Sequence, residues 1–378
     1  MHLAAERSAT DPRARRITRL LAAAAAALLA ATAATSAAAQ TIRQYQFEPD
    51  GATYRLALKE VERPEAGPNE VLVRVHAVSL NRRDVLMLNA RYGPGGNSAG
   101  GIPLSDGAGE VIAVGPNVSR FEVGDRVAGI FFEKWIDGDR SAEINGSARG
   151  GNASGMLSEV IVSHEDALVA IPEHLSYEQA ATLPCAGVTA WVALFKHGGL
   201  EAGDYVLLEG TGGVSTLGLQ LAAAAGARPI ITSSSDEKLE RAKALGAFGT
   251  VNYRENPEWQ RTVRELTGGA GVKHVLEVGG EDTLPKAVQA LGYDGHIALI
   301  GGLSGFASSL PVGALMTLGG RVTGIYVGSR ADFEALNAFI AEHGIEPHVD
   351  RVFELEDAPA AFDLMENGDF MGKIGIRL

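Results

Sequence analysis

The stretch 205–225 constrains the fold of this chain more than any other part of it. Tyr205–Leu208 is an apolar run typical of a buried strand, three glycines follow within five residues, and a helix-forming sequence rich in leucine and alanine comes next. This order favours a dinucleotide site, because glycines let a pyrophosphate approach the backbone and the helix N-terminus supplies free N–H groups. Ser215 stands where the full G-x-G-x-x-G pattern has its third glycine, so the turn alone leaves an ordinary strand-to-helix connection open.

Composition and charge fit a packed α/β protein and exclude several classes of partner. The chain has 378 residues, of which 46% are hydrophobic and 47 are glycine, which is enough for two domains. Its formal net charge is −13, and no stripe of lysine and arginine follows the N-terminal region, which argues against nucleic acid and anionic membrane surfaces as partners. The single cysteine, Cys185, excludes an internal disulfide and a four-cysteine zinc lobe.

Residues 1–39 have the pattern of a signal peptide. A basic region with an Arg15-Arg16 pair precedes the apolar run Leu20–Ala34, and Ala37–Ala39 offers an A-x-A cleavage site. The apolar run is too short and too rich in alanine for a comfortable membrane span, so we expect no stable span after cleavage. The arginine pair suggests the twin-arginine route and a periplasmic location. The alternative is an uncleaved or disordered alanine helix, in which case the protein is cytoplasmic.

Hydrophobic periodicity divides the remaining chain into two parts. Up to about residue 166, short strands such as Val71–Ser79 alternate with turn residues, which predicts a small β barrel or sandwich. Within this part, the polar, glycine-rich segment 133–155 is expected to be a long surface loop. Tyr177–His197 reads as a helix interrupted near Pro184, and strands then alternate with helices, which predicts a parallel, doubly wound sheet.

The predicted strands and helices of this second part give the domain limits. Strands are expected at Tyr205–Leu208, Pro229–Thr232, Thr250–Asn252, His274–Val278, His296–Ile300 and Arg321–Ile325, with helices at Asp236–Leu245 and Thr283–Leu291. The tail returns to a mixed pattern and is expected to fold back onto the first domain. The fold class is therefore α/β, with a β-rich domain at 40–165 that is completed by about 340–378, and a nucleotide-binding domain at 166–339.

Several motifs follow one another along the chain in a recognisable order. They are Ser79-Leu-Asn-Arg-Arg-Asp84, Ser105-Asp-Gly-Ala-Gly-Glu-Val111, Phe121-Glu-Val-Gly-Asp-Arg-Val127, Ala181-Thr-Leu-Pro-Cys-Ala-Gly-Val-Thr-Ala-Trp191, the glycine turn, and Val251-Asn-Tyr-Arg-Glu255. In these motifs the mature chain, nearly end to end, resembles the medium-chain dehydrogenase/reductase superfamily, whose members join a GroES-like catalytic domain to a Rossmann domain. The resemblance implies that the β-rich domain is the GroES-like one and that the α/β domain is the Rossmann domain that binds NAD(P).

The resemblance raises the question of a catalytic zinc. Alcohol dehydrogenases of this superfamily hold zinc with a cysteine, a Gly-His-Glu motif and a further cysteine, whereas this chain has Ser79–Asn81 and Ser105–Asp106 at the first two places and keeps only Cys185. One thiolate with a carboxylate is a poor zinc site, because catalytic zinc commonly takes three protein ligands. We therefore expect no zinc and a resemblance to the quinone oxidoreductase branch.

Residues after the second strand of the Rossmann domain bear on the choice of nicotinamide cofactor. NAD-specific domains place an acidic residue about 20 residues after the glycine turn, to bind the ribose 2′-OH. Here the position falls on Thr232–Ser235, which is hydroxylated and not acidic. Lys238 and Tyr253 match residues that lie near the 2′-phosphate in related quinone reductases, which favours NADP(H). The neighbouring Asp236 and Glu237 keep NAD open.

The resemblance also implies a set of cofactor contacts. Thr189 matches a threonine near the nicotinamide, Val278-Gly279 and Gly301 end successive strands, and Tyr326, Val327 and Lys373 border the nicotinamide end. The full set of predicted cofactor-binding residues is Thr189, Gly210, Gly212, Gly213, Val214, Ser234, Lys238, Tyr253, Val278, Gly279, Gly301, Tyr326, Val327 and Lys373.

Chemistry without a metal favours acceptors that can delocalise negative charge. Hydride transfer to a quinone or an α,β-unsaturated carbonyl meets this need, because the product is a hydroquinone or an enolate. Asn81 and Tyr92 match positions that line the quinone reductase cleft and are the candidate catalytic residues. Asp84 and Asp106 are expected to be structural, paired with Arg82 or Arg83.

Two alternatives stay open for the function. One is an NAD(P)-dependent alcohol dehydrogenase or carbonyl reductase of the same fold, with another proton relay. The other is an exported nucleotide-binding protein without turnover, which the serine at 215 and the leader suggest. For the quinone or enone reductase and for the alcohol dehydrogenase, the partner is a small-molecule quinone, carbonyl or alcohol. A homodimer through the edge of the Rossmann sheet is an expectation from the family resemblance.

Overall fold

The computed structural model describes residues 41–93 and 99–378. The signal peptide predicted at 1–39 lies outside the described residues. Within the described ranges, no helix is long and apolar enough to cross a membrane. Residues 43–60 and 64–378 form one compact unit, which contains both the sheet of the first domain and the parallel sheet of the second.

The first domain is built on antiparallel strands. In chain order they are β1 (Thr41–Asp50), β2 (Thr53–Glu62), β3 (Glu70–Ser79), β4 (Asp106–Val114), β5 (Arg126–Gly129), β6 (Val160–His164) and β7 (Leu168–Ala170). β1 pairs with β2, and β3, β4, β5 and β7 follow one another in a seven-stranded sheet in which β6 also pairs with β3. The prediction of a β-rich first domain is confirmed.

The second domain contains six parallel strands. They are β8 (Tyr205–Leu208), β9 (Arg228–Ser233), β10 (Gly249–Asn252), β11 (Val272–Glu277), β12 (Leu291–Leu299) and β13 (Arg321–Gly324). Their order across the sheet is β10-β9-β8-β11-β12-β13, so the first strand of the domain lies between the second and the fourth. This is the doubly wound order of a Rossmann domain, and it confirms the predicted fold class. The glycine turn after β8 therefore lies at the switch point, where such sheets bind their ligands.

The helices cover both faces of the parallel sheet and connect it to the first domain. They are α1 (Arg82–Leu88), α2 (Ala142–Asn145), α3 (Tyr177–Ala180), α4 (Val188–Trp191), α5 (Gly213–Ala224), α6 (Asp236–Ala244), α7 (Trp259–Leu266), α8 (Leu284–Ala290), α9 (Val312–Leu318), α10 (Arg330–His343) and α11 (Ala358–Asn367). The π-helical segments Leu183–Gly187 and Val192–Lys196 flank α4, and the first contains Pro184, so the predicted interruption of the helix is confirmed. The sequence patterns did not predict α1, α2, α7, α9, α10 and α11.

Alternate residues of the central strands pack on opposite faces of the parallel sheet. Val206 and Leu208 belong to one apolar core, whereas Leu207 between them belongs to another. Both faces are covered because helices connect the successive parallel strands and pack against the sheet. This is why the strands read as continuous apolar runs, with little of the alternation of a half-exposed sheet.

The end of the chain connects the two domains. Strands β14 (Val349–Glu354) and β15 (Lys373–Arg377) pair in parallel, and β15 pairs antiparallel with β3, so the tail returns to the sheet of the first domain. Just before β15, the Gly372 N–H donates a 2.8 Å hydrogen bond to the carbonyl of Thr211, inside the glycine turn. Residues 372 and 373 therefore lie between the glycine turn and the sheet of the first domain.

The segment 133–155 differs from its prediction as a surface loop. Residues 147–151 are buried, and Arg149 is only 1% exposed. The guanidinium of Arg149 forms a 2.9 Å ion pair with Glu133 and donates to Ser163 Oγ at 2.6 Å. Residues 133–146 are exposed or half-buried as predicted, but the prediction was wrong for residues 147–151, because it took polar composition as a sign of exposure although Arg149 finds polar partners inside the domain.

Candidate active site

The glycine turn has the geometry of an anion-binding helix start. Gly210 has φ +69°, a conformation that L side chains rarely adopt, and α5 begins at Gly213 with Gly212 as its N-cap. No heavy atom lies within 4 Å of the place where a Cβ on Gly212 would stand. The first N–H groups of α5 and the positive end of its dipole thus border an open space. In such a space a phosphate group can approach the backbone closely.

Ser215 stands in place of the third glycine and has a packing role of its own. Its side chain is 1% exposed and its hydroxyl donates to the carbonyl of Glu209 at 2.6 Å, across the turn. Serine therefore fastens the first turn of α5 to the end of β8. The departure from the glycine pattern is compatible with the nucleotide-binding turn.

Two buried carboxyl groups lie beneath the turn, and the sequence analysis assigned them no role. Glu277 Oε1 accepts hydrogen bonds from the N–H groups of Gly279 and Gly280 and from Thr283 Oγ1, at 2.8, 2.8 and 2.6 Å. The carboxyl oxygens of Glu209 have no hydrogen-bond partner among the described residues. Burial and the nearby Glu277 raise the pKa of Glu209 well above its ordinary value. The raised pKa favours the protonated form of Glu209, because a second buried carboxylate beside Glu277 would be repelled.

The residues predicted to bind the adenosine ribose lie together beyond β9. The Tyr253 N–H donates to the carbonyl of Ser233, next to Ser234, and Ser235 caps the helix that carries Lys238. The ammonium of Lys238 donates to the carbonyl of Gly368 at 3.2 Å and lies 3.7 Å from a carboxylate oxygen of the exposed Asp369. The ion pair to Asp369 contributes little stability, because it is long and the carboxylate is exposed to solvent.

The other predicted cofactor residues lie mainly at the carboxyl ends of the central strands. Gly301 N–H donates to the carbonyl of Glu277, and a Cβ on Gly301 would lie 2.8 Å from the carbonyl of Val278. The ends of β11 and β12 thus meet, while the N–H of Gly279 is already bonded to Glu277. Three more predicted residues lie on other elements. Thr189 on α4 and Val327, which has φ +58°, are buried, and Val214 on α5 is half-buried.

Tyr92 and Tyr326, predicted for different roles, meet directly. Their hydroxyl groups are 2.8 Å apart, and Tyr326 packs at 5.3 Å from the ring of Phe132. The guanidinium of Arg83 lies 5.2 Å from the centre of the Tyr92 ring. Burial raises the pKa of Tyr92 above its ordinary value, so its hydroxyl stays protonated and acts as a hydrogen-bond donor or acceptor, not as a phenolate. Tyr326 is 41% exposed and connects this pair to solvent.

Lys373, predicted at the nicotinamide end, extends its ammonium toward Leu80 and Asn81 of the first domain. Its Nζ donates to the carbonyl of Leu80 and to Asn81 Oδ1, both at 2.6 Å, and lies 3.5 Å from Asp106 Oδ2. Lys373 is 2% exposed and Asp106 is fully buried. The other carboxyl oxygen of Asp106 accepts from Ser105 Oγ at 2.7 Å. We call Lys373, Asn81 and Asp106 the lysine cluster.

The predicted pairing of Asp84 and Asp106 with Arg82 or Arg83 was wrong. Among the described residues, no ion pair joins either aspartate to either arginine. Asp84 accepts from the Asn81 N–H at 2.7 Å at the start of α1, Arg83 donates to the carbonyl of Arg149, and Asp106 lies beside the ammonium of Lys373. Motif spacing along one segment did not reveal a partner that comes from the far end of the chain.

The lysine cluster occupies the place where the family resemblance would put a zinc ion. Asn81, Asp106 and Cys185 stand at the ligand positions, and the ammonium of Lys373 lies among them, with the Cys185 N–H donating to Asp106 Oδ2 at 3.3 Å. Burial and the carboxylate of Asp106 raise the pKa of the Cys185 thiol, which favours the protonated form that binds zinc poorly. No group of three or more His, Cys, Asp and Glu side chains in the described ranges could hold a metal ion. These residues do not fit a catalytic zinc.

The two-domain architecture and the position of the glycine turn are those of the medium-chain dehydrogenases and reductases. A model described as "Alcohol dehydrogenase GroES-like domain" matches residues 67–173, and one described as "Zinc-binding dehydrogenase" matches residues 213–342. The chain belongs to this superfamily and has the zinc-type alcohol dehydrogenase-like fold. The resemblance inferred from the sequence motifs is confirmed.

Individual relatives cover most of the chain. A zinc-type alcohol dehydrogenase-like protein of Schizosaccharomyces pombe is 41% identical over 86% of this chain and 95% of its own length. A quinone oxidoreductase of Pseudomonas aeruginosa is 34% identical over 77% of this chain and 83% of its own length. The crystal structure of an NAD-dependent alcohol dehydrogenase superposes with a TM-score of 0.80 at 32% identity, over 89% of this chain and 99% of that one.

The open space beside Gly212 predicts a substitution that affects binding without affecting folding. Gly212 has φ −77° and ψ −178°, which alanine adopts readily, so Gly212→Ala should leave the Tm unchanged. A pyrophosphate in that space would meet the new methyl group, and we expect the Kd for NADPH to rise about tenfold, equivalent to about 1.4 kcal/mol. Fluorescence titration measures it. Gly313→Ala, at a glycine with equally open surroundings on α9, is the matched control and should leave Kd unchanged. An unchanged Kd in Gly212→Ala would exclude this turn as the phosphate site.

The buried carboxyl group of Glu209 predicts a pH dependence of stability. Because its pKa is raised in the folded protein, its contribution is fully present below the unfolded pKa, near 4.5, and is lost as the pH rises through the folded pKa. Glu209→Gln removes this titration. In denaturant unfolding, the free energy of unfolding of the variant relative to that of the wild type should increase as the pH rises from 5 to 8, by up to about 1.4 kcal/mol per pH unit. The exposed Glu65→Gln is the control. Parallel pH curves for Glu209→Gln and wild type would contradict the assignment.

Proposed function

We propose that this protein is an NADPH-dependent, zinc-independent oxidoreductase that transfers hydride to a quinone or an α,β-unsaturated carbonyl. The observation that carries the proposal is the lysine cluster, in which an ammonium group fills the place that a catalytic zinc would need. Without a Lewis acid, the substrate oxygen must be stabilised by hydrogen bonds and by delocalisation of its own charge. Quinones and enones supply that delocalisation, whereas a simple alkoxide does not.

The proposed reaction assigns roles to two side chains of the first domain. Bound NADPH supplies the hydride, and a proton from solvent completes the conversion of a quinone to a hydroquinone or of an enone to a saturated ketone. Asn81 Nδ2 has no hydrogen-bond partner among the described residues and is proposed to donate to the substrate oxygen. The Tyr92 hydroxyl, bonded to the partly exposed Tyr326, is proposed to pass the proton inward from solvent.

An alcohol dehydrogenase activity is the second candidate, because alcohol dehydrogenases are among the proteins that this chain resembles. Oxidation of an alcohol requires a group that removes the hydroxyl proton. The raised pKa of Tyr92 opposes that role, since its phenolate form is disfavoured near neutral pH. We therefore place the quinone or enone reaction first.

The preference for NADPH is proposed from the end of β9. Thr232 Oγ1 accepts a hydrogen bond from the N–H of Gly210 at 3.1 Å, which places the end of β9 next to the glycine turn. The residues there, Thr232–Ser235, carry hydroxyl groups where an NAD enzyme has a carboxylate. Lys238 is 16% exposed at its side chain and has only a carbonyl and an exposed carboxylate as partners. A 2′-phosphate offers this ammonium a stronger, charge-assisted contact.

A substrate screen tests the proposed function. Purified protein is incubated with NADPH or NADH and with panels of quinones, enones, aldehydes and alcohols, and nicotinamide absorbance is followed. We expect NADPH oxidation with quinones or enones, slower oxidation with NADH, and little turnover of aldehydes. Preferential turnover of alcohols or aldehydes would support the second candidate. Tight NADPH binding without turnover on any panel would contradict both and support a nucleotide-binding protein without activity.

The role of Lys238 predicts a change in cofactor preference. Lys238→Ala removes the ammonium proposed to meet the 2′-phosphate, so kcat/KM for NADPH should fall about tenfold or more, equivalent to about 1.4 kcal/mol, while kcat/KM for NADH stays close to that of wild type. Lys243→Ala, on the same helix and paired with Glu240, is the matched control. If the NADPH-to-NADH ratio of Lys238→Ala equals that of wild type, this lysine is not part of the cofactor site.

A further inference from the structure

We propose that Lys373 is a positioning residue that fixes the orientation of the Asn81 amide, so that the Nδ2 group of Asn81 is presented to the substrate oxygen. The inference rests on the proposed function and adds the residue on which its hydrogen-bond donor depends. Lys373 itself touches neither substrate nor cofactor in this proposal. It acts through Asn81, from the opposite end of the sequence.

The contact between Lys373 and Asn81 selects one of two amide orientations. An asparagine amide has an acceptor end and a donor end of nearly the same shape, and either can in principle face a given neighbour. An ammonium group only donates, and its Nζ lies 2.6 Å from Asn81 Oδ1. Rotation of the amide by 180° would bring two donors together, so the ammonium holds Oδ1 inward and directs Nδ2 away from itself.

The ammonium is itself held in place by a matched set of acceptors. Its three N–H bonds meet the carbonyl of Leu80 at 2.6 Å, Asn81 Oδ1 at 2.6 Å and Asp106 Oδ2 at 3.5 Å. The buried carboxylate of Asp106 balances the charge, and Asp106 is fixed in turn by the hydroxyl of Ser105 and the N–H of Cys185. A buried cation that is paired and fully hydrogen-bonded has little freedom to reorient.

The donor end of the amide is left available. Asn81 Nδ2 is buried and has no hydrogen-bond partner among the described residues, a state that costs about 1–3 kcal/mol. The backbone of Asn81 is also fixed, since its N–H donates to Asp84 Oδ2 at 2.7 Å at the start of α1. A donor that is unsatisfied and rigid is suited to an oxygen that becomes more negative during hydride transfer, because no reorganisation is needed at that moment.

The path of the Lys373 side chain connects this donor to the nucleotide-binding turn. A Cβ on Gly213 would lie 2.6 Å from Lys373 Cδ, so the lysine stem runs directly against the first residue of α5. The preceding Gly372 is bonded to Thr211 in the same turn. The same short segment therefore supports the proposed phosphate site and the proposed oxygen-stabilising amide.

Kinetics of single and double variants test the positioning role. Lys373→Met keeps the length of the side chain and removes the ammonium, so we expect kcat to fall about tenfold or more, with the Kd for NADPH within about twofold of wild type. Asn81→Asp keeps an acceptor for Lys373 and removes the donor, and should lose kcat in the same way. Lys286→Met, at a half-buried lysine that donates to the carbonyl of Pro257, is the control and should behave as wild type.

The double variant separates positioning from a general structural effect. If Lys373 acts through Asn81, Asn81→Ala combined with Lys373→Met should lose no more kcat than Asn81→Ala alone. Multiplied losses, or an unchanged kcat in Lys373→Met, would overturn the proposal. If Lys373→Met does not fold, Lys373→Gln, which keeps an N–H donor, takes its place and is expected to retain more activity than Asn81→Ala. Less activity than Asn81→Ala would count against positioning.

A spectroscopic readout keeps this test independent of the proposed reaction. The side-chain amide signal of Asn81, assigned with ¹⁵N-asparagine-labelled protein and Asn81→Ala, should be a single sharp pair in wild type. In Lys373→Met or Lys373→Gln we expect it to shift and broaden as the amide samples both orientations. An unshifted signal would overturn the positioning role. If wild type turns over no acceptor while the signal responds as expected, the proposed function fails and the positioning of Asn81 stands.

Discussion

The hydrogen bonds of Gly372 and Lys373 connect the two halves of the site. The backbone of Gly372 bonds to Thr211 in the glycine turn, and the next side chain reaches the carbonyl of Leu80 and the amide of Asn81 in the first domain. The glycine turn follows a strand of the parallel sheet, whereas Leu80 and Asn81 follow a strand of the first-domain sheet, and this two-residue segment contacts both. Lys373 pairs with Val349 of β14, and the rest of β15 pairs with β3 from Gly375 onward.

Buried charges of both signs lie on the two sides of this site. The ammonium of Lys373 and the carboxylate of Asp106 form a buried pair on the first-domain side. Beneath the glycine turn, Glu277 accepts hydrogen bonds from backbone N–H groups, and the raised pKa of Glu209 favours the neutral form of that group. A second buried carboxylate there would repel an incoming pyrophosphate, whereas a protonated Glu209 leaves the positive end of the α5 dipole unopposed.

Local patterns in the sequence predicted the fold and the order of strand, glycine turn and helix at its switch point, whereas nucleotide binding by that turn stays a prediction. Apolar runs and glycines are local signals, and strands β8 to β13 appear close to where they were expected. The contacts of Lys373 with Asn81, and of Tyr92 with Tyr326, join residues more than 200 positions apart, and no local pattern reveals them. Helix α9 is only seven residues long and almost wholly apolar, so it shows no polar face opposite an apolar one by which amphipathic helices are recognised. Export by the leader, the periplasmic location and the homodimer stay predictions of the sequence.

The most direct test of metal-free catalysis is the zinc content of active enzyme. The protein is produced in zinc-supplemented medium, and its zinc is measured by mass spectrometry alongside NADPH oxidation, before and after treatment with a strong chelator. The lysine cluster predicts far less than stoichiometric zinc and activity that the chelator does not change. One tightly held zinc ion per chain, with activity lost on its removal and restored on its return, would contradict the assignment of this position to the ammonium of Lys373.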